Sequence, residues 1–129
     1  MYNKFLETGE KGYHPLRKIK VCLSGLRYAA HYDFSVAYKL YLSIITLIIC
    51  FLLRQWVDFL LILAATALVL IAEMFNSAIE ALCDFVETHE NYKIKVIKDI
   101  SAAAAGISIL LWAVILCVEF SHFWQIMRS

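Results

Sequence analysis

The chain reads as an all-α membrane protein: three transmembrane helices preceded by an amphipathic surface helix, with the amino terminus on the cytoplasmic side. Hydrophobic residues make up 62% of the 129, and the mean hydropathy is +0.70, well above the roughly half-apolar composition of soluble domains. Apolar runs at about Ser35 to Leu53, Val57 to Ala81 and Ile100 to Phe120 each reach the ~20 residues that cross a hydrocarbon core. Backbone groups in hydrocarbon must be bonded within their own segment, and three strands are too few to close a barrel, so each run is a helix.

The elements follow in order along a single domain. Residues 1–13 are polar and mixed in charge. They lack the basic-then-apolar order of a cleaved signal peptide, so the membrane segments are expected to remain in the mature protein. Over 14–32, Leu16, Ile19, Leu23, Leu26 and Ala30 recur at three- and four-residue steps, with Arg17, Lys18, Lys20 and Arg27 between them. That pattern predicts a basic amphipathic helix on the inner leaflet, and Pro15 stands where such a helix starts. With their flanks, the three spans cover 33–53, 57–86 and 94–122. The short link Arg54-Gln55-Trp56 makes the first two an antiparallel hairpin, and Trp56 suits the interface.

Basic residues set the orientation. Lys4, Lys11, Arg17, Lys18, Lys20 and Arg27 precede the first span and Lys93, Lys95 and Lys98 crowd the second connection, whereas only Arg54 and Arg128 lie on the other side. The amino terminus and the second connection are therefore expected in the cytoplasm and the carboxyl terminus outside. Charges are nearly balanced, 12 basic against 11 acidic, which leaves no electrostatic footprint for a nucleic-acid partner. Cys22, Cys50, Cys83 and Cys117 are widely spaced, with no paired spacing and no histidine at zinc-ligand distance, and read as small apolar fillers. His31, His89 and His122 are scattered and predict no metal role. Trp112 and Trp124 read as lipid-facing or interfacial aromatics. The small residues Ser101 to Gly106 read as a surface that lets helices approach closely.

Chemistry concentrates in the second span. At ~100° per residue, Glu73, Asn76, Glu80 and Asp84 fall within an arc of about 80° and form one polar stripe. Glu73 lies inside hydrocarbon, where an ionised carboxylate is costly unless partnered or hydrated, so it is a functional residue by default. Asp33 opens the first span and Lys98-Asp99 opens the third, so antiparallel packing brings three segments to one membrane boundary. Carboxylates gathered there repel unless a divalent cation sits among them, and hard oxygen donors with Asn76 favour magnesium. Lys98 supplies a point charge for phosphate. Metal, phosphate, a buried carboxylate and a lysine at a membrane surface are what phosphoryl transfer to a lipid hydroxyl requires. The four glycines form no phosphate-binding loop, so a nucleotide must be held by metal and basic side chains.

The run Glu73-x-x-Asn76-Ser77-Ala78-Ile79-Glu80-x-x-x-Asp84, with Lys98-Asp99 beginning fourteen residues after Asp84 and the small residues after it, resembles the prokaryotic diacylglycerol kinase family, which includes undecaprenol kinases. The resemblance extends from about Leu16 to Phe120. It implies that Glu73 is the general base on the lipid hydroxyl and that Glu80 and Asp33 hold Mg2+. It implies further that Asn76, Lys98 and Asp99 contact the ATP phosphates or brace that site, and that Asp84 orders the nucleotide-binding region. Lys95 is placed with the nucleotide-binding residues, with topology as its other reading. The implied assembly is a homotrimer with composite sites between neighbours, in a bacterial inner membrane. Asp33, eight residues after Gly25, stands where the family usually has glutamate, and Lys95 three residues before Lys98 matches the undecaprenol kinases.

The expected function is therefore an ATP- and Mg2+-dependent lipid kinase that converts diacylglycerol to phosphatidic acid, with undecaprenol as the alternative acceptor. A reading of another class is a small channel or transport subunit lined by intramembrane carboxylates, for which polar residues should spread through the membrane depth. Here they are read as collecting at one end.

Overall fold

The computed structural model describes residues 5–7, 9, 12 and 14–129. The polar segment expected over 1–13 thus lies largely outside the described residues. Four helices follow in order: α1 (Pro15–Tyr32), α2 (Phe34–Leu52), α3 (Trp56–Val86) and α4 (Tyr92–Arg128). The last three are long and apolar enough to cross a membrane.

Helix length places the chemistry. At 1.5 Å per residue, the 19, 31 and 37 residues of α2, α3 and α4 correspond to ~28, ~46 and ~55 Å. A ~30 Å hydrocarbon core takes up only ~20 residues. Counted from Trp56, that depth ends near Asn76; counted back from Phe120, it ends near Ser101. The carboxyl-terminal third of α3 and the first two turns of α4 therefore project past the core on the same side. Helix α4 begins earlier and ends later than the 94–122 expected for the third span. Asn91 caps its start by accepting a bond from the Lys93 N–H at 3.0 Å, and nothing in the sequence through Arg128 breaks it.

Each connection has a local cause. Asp33 alone joins α1 to α2, in extended conformation (φ −115°, ψ 105°). Its N–H donates to the Ala29 carbonyl at 2.8 Å, ending α1, and its carbonyl accepts from the Ala37 N–H at 3.1 Å, starting α2. Between α2 and α3, Arg54 takes a left-handed φ of 56° that lets the chain reverse within the predicted short link. Trp56 and Phe51 meet edge to face there, with ring centroids 5.6 Å apart.

Most large apolar side chains point outward, among them Ile48, Leu60, Phe75, Ile107 and Leu110. This is the pattern of helices solvated by lipid, where exposure of an apolar side chain carries no penalty. The interior is narrow. One cluster joins Cys50, Ile62 and Phe123, and a second joins Ala65, Val69 and Trp112. Two hydroxyls inside it bond their own helices: Thr66 donates to the Ile62 carbonyl at 2.6 Å and Ser108 to the Ala105 carbonyl at 2.7 Å. Trp112 departs from its lipid-facing expectation. It is 6% exposed, and its Nε1 donates to Ser43 Oγ at 2.9 Å across to α2, a partner invisible in a linear reading. In the small-residue run, Ser101 and Ala105 face the bundle, whereas Ala102, Ala103, Ala104 and Gly106 are exposed. Helix α1 buries no residue and packs mainly against α2, as a helix resting on a membrane surface would.

Candidate active site

Glu73 is 5% exposed, 13 residues and so ~20 Å of helix before the end of α3. Facing it from α2 is Lys39, 1% exposed, whose Nζ lies 2.9 Å from Glu73 Oε1. Ser35 Oγ donates to the same oxygen at 3.1 Å. Lys39 also donates to the Ser35 carbonyl at 3.2 Å and to Ser35 Oγ. A buried ion pair survives only when its remaining donors are satisfied, and Ser35, one turn before Lys39 on α2, meets that need. Among the described residues no side chain donates to Glu73 Oε2; the bonds from Lys39 and Ser35 both go to Oε1.

Asp33 sits on the same face of the site. Its Oδ1 accepts from the Ser35 N–H at 2.9 Å, the N-cap bond of α2. Its Oδ2 accepts from Ser77 Oγ on α3 at 2.9 Å. Asp33 is thus a cap and a helix-to-helix tie, and each carboxylate oxygen keeps one further acceptor position. Asn76, one turn beyond Glu73, carries a buried Oδ1 with no hydrogen-bond partner. An orphaned buried acceptor costs about 1–3 kcal/mol, so this oxygen has an acceptor position still open. Glu80 is exposed on the next turn. Oxygen-only donors from Asp33, Asn76 and Glu80 suit magnesium in kind.

The other predicted residues meet further out. Asp84, Lys95, Lys98 and Asp99 line an open cleft of about 710 Å3 with the loop 87–91. Lys98 Nζ bonds Asp84 Oδ1 at 2.9 Å, and Glu80 contributes to the field at Lys98. Asp99 is brought to this cleft and makes no described contact with Glu73. From Glu73 to Asp84 is 11 residues of α3, or ~16 Å. The predicted set therefore divides into a membrane-edge group around Glu73 and a polar cleft beyond it, with Glu80 between them.

Sequence reasoning overlooked Lys39 and the two serines. Lys39 interrupts the first apolar run, and the rule that singles out an intramembrane charge applies to it as fully as to Glu73. The expectation that carboxylate crowding must be relieved by a metal alone is corrected here, since Lys39 balances the Glu73 charge from within the protein. Polar groups also do not collect at one end only. Asp58, Glu119 and His122 converge at the far end of the bundle.

A family model described as prokaryotic diacylglycerol kinase matches residues 20–120. The chain belongs to that family. No curated protein sequence matches it significantly. As a member of the prokaryotic diacylglycerol kinase family, the protein is a lipid kinase, a transferase with lipid and ATP as its substrates. The matched stretch contains Asp33, Lys39, Glu73, Asn76, Glu80, Asp84, Lys95, Lys98 and Asp99, so both the group around Glu73 and the outer cleft lie within it. Membership in this family also disfavours the channel reading.

Proposed function

We propose that the protein transfers the γ-phosphate of ATP to the hydroxyl of diacylglycerol at the cytoplasmic face of a bacterial inner membrane, forming phosphatidic acid. The observation that carries this reading is Glu73, buried at the edge of the hydrocarbon core with Oε1 taken by Lys39 and Ser35 and Oε2 open. A lipid hydroxyl reaches that depth without leaving the bilayer. Glu73 Oε2 accepts its proton as the hydroxyl oxygen attacks the γ-phosphorus, the bond to ADP breaks, and the proton remains on Glu73.

Asp33 and Glu80, with Asn76, would hold Mg2+, which supplies charge neutralisation on the phosphate oxygens. Asp84, Lys95, Lys98 and Asp99 would hold the nucleotide in the outer cleft. The ~16 Å between cleft and base calls for an elongated ligand, which a nucleoside triphosphate is. Lys98 then exchanges Asp84 for phosphate, an exchange that costs little because the pair is exposed. The outward-facing Ala102, Ala103, Ala104 and Gly106 support assembly with further copies, since no described atom lies within 4 Å of a Cβ built at Gly106. A homotrimer with sites shared between neighbours is the assembly proposed.

The acceptor is tested by offering diacylglycerol and undecaprenol together, in equal amounts, to purified protein with labelled ATP and magnesium. Label entering phosphatidic acid at least about ten times faster supports the assignment. Label entering undecaprenyl phosphate instead moves the protein to the other branch of the family, and label in neither lipid rejects the kinase reading.

A further inference from the structure

Three side chains converge at the end of the bundle opposite Glu73 and the cleft. Asp58, in the first turn of α3, is 15 residues and so ~22 Å of helix from Glu73, and phosphoryl transfer has no use for it. Facing it from the end of α4 are Glu119 and His122, three residues apart and hence on one side of that helix. His122 Nδ1 lies 2.9 Å from Asp58 Oδ2. One ligand atom from each of the three lies within 4.8 Å of the other two, the only such convergence among the described residues.

The burial of these groups is uneven. Glu119 is 4% exposed, and its Oε2 is buried with no hydrogen-bond partner. The Asp58 side chain is 16% exposed and that of His122 44% exposed. Two ionised carboxylates side by side, one with a buried, unsatisfied oxygen, are unfavourable unless a shared proton or a cation lies between them. The His122 bond serves Asp58 and leaves that Glu119 oxygen unserved.

We infer that Asp58, Glu119 and His122 bind a divalent cation of the zinc class, which ties the start of α3 to the end of α4. One imidazole nitrogen with two carboxylate oxygens is a three-ligand set that zinc accepts, with a fourth position left for water. Tetrahedral zinc at ~2.0–2.1 Å from each donor sets donors ~3.3 Å apart, so rotation of these side chains by an ångström or so completes the site on helices already in place. The half-exposed His122 opens the fourth position to solvent. His122 lies beyond the residues that match the family, whereas Asp58 and Glu119 lie within them.

The test uses the full chain in detergent micelles, stripped with a chelator and held in excess magnesium so that oxygen-only sites are filled. Zinc is titrated against a chromophoric chelator for wild type, His122→Gln and Glu119→Gln. The expected result is one zinc per chain in wild type, with affinity lowered at least about 100-fold in each variant, beyond what loss of a supporting residue costs. Zinc should also raise the thermal unfolding midpoint of wild type and leave the His122→Gln midpoint unchanged. His122→Gln replaces a half-exposed ring and preserves the fold, which helical circular dichroism verifies. Wild type that takes up no stoichiometric zinc, or variants that bind it as tightly as wild type, overturns the inference.

Discussion

Replacing Lys39 with methionine is the sharpest perturbation of the membrane-edge site, because length and apolar stem are kept while the ammonium is removed. At the observed 2.9 Å from Glu73 Oε1, the gross attraction is about 6 kcal/mol at an effective dielectric constant of 20. Desolvation of both ions offsets much of this. Removing one member of a buried pair nonetheless costs about 3–5 kcal/mol, since the other charge is left without compensation. Lys39→Met is therefore expected to lower the unfolding equilibrium by roughly 10²- to 10⁴-fold. Lys39→Met with Glu73→Gln together should recover most of that loss, giving a coupling energy above about 1.5 kcal/mol. The assay is reversible denaturation in mixed micelles, followed by helical circular dichroism for wild type, both single variants and the double variant. A cost below about 1 kcal/mol for Lys39→Met, or additive effects in the cycle, refutes the claim that this pair holds α2 to α3 at the site.

Asp33 combines capping with its proposed metal role, and two substitutions separate them. Asp33→Asn keeps a capping oxygen and should stay within about 0.5 kcal/mol of wild type while activity falls at least tenfold; Asp33→Ala should lose about 1 kcal/mol as well. Thermal unfolding and lipid phosphorylation measured on both variants decide this. Lys98→Ala breaks only an exposed pair, so stability should change by less than about 1 kcal/mol, whereas KM for ATP should rise about tenfold. Steady-state kinetics with ATP varied at saturating lipid reads that outcome, and an unchanged KM removes Lys98 from the nucleotide site.

Periodicity made the helices legible because a bilayer enforces one solution: ~20 apolar residues, all backbone groups bonded within the helix. The stripe Glu73, Asn76, Glu80, Asp84 was legible for the same reason, being fixed by rotation within a single helix. Partnerships between helices were not. Trp112 with Ser43 and Lys39 with Glu73 span 69 and 34 residues of sequence, and neither spacing nor hydropathy encodes which faces meet. Lys39 carried a usable signal, a charge inside an apolar run; Ser77 stood in the Glu73 to Asp84 motif without a partner being evident, and Ser35 carried no signal, since serine in a membrane helix commonly bonds its own backbone. The far-end trio was not legible because Asp58 opens the second apolar run and His122 follows the third, so only antiparallel packing of α3 and α4 brings them together.

The central claim is that Glu73 takes a proton from a lipid hydroxyl during phosphoryl transfer. It is tested most directly by single-turnover transfer from labelled ATP to diacylglycerol in vesicles, comparing wild type with Glu73→Gln under conditions where both bind ATP equally. General-base catalysis contributes about 10²–10⁴-fold, so the transfer step in Glu73→Gln should slow by that factor with nucleotide affinity unchanged. Transfer in Glu73→Gln at the wild-type rate contradicts the account.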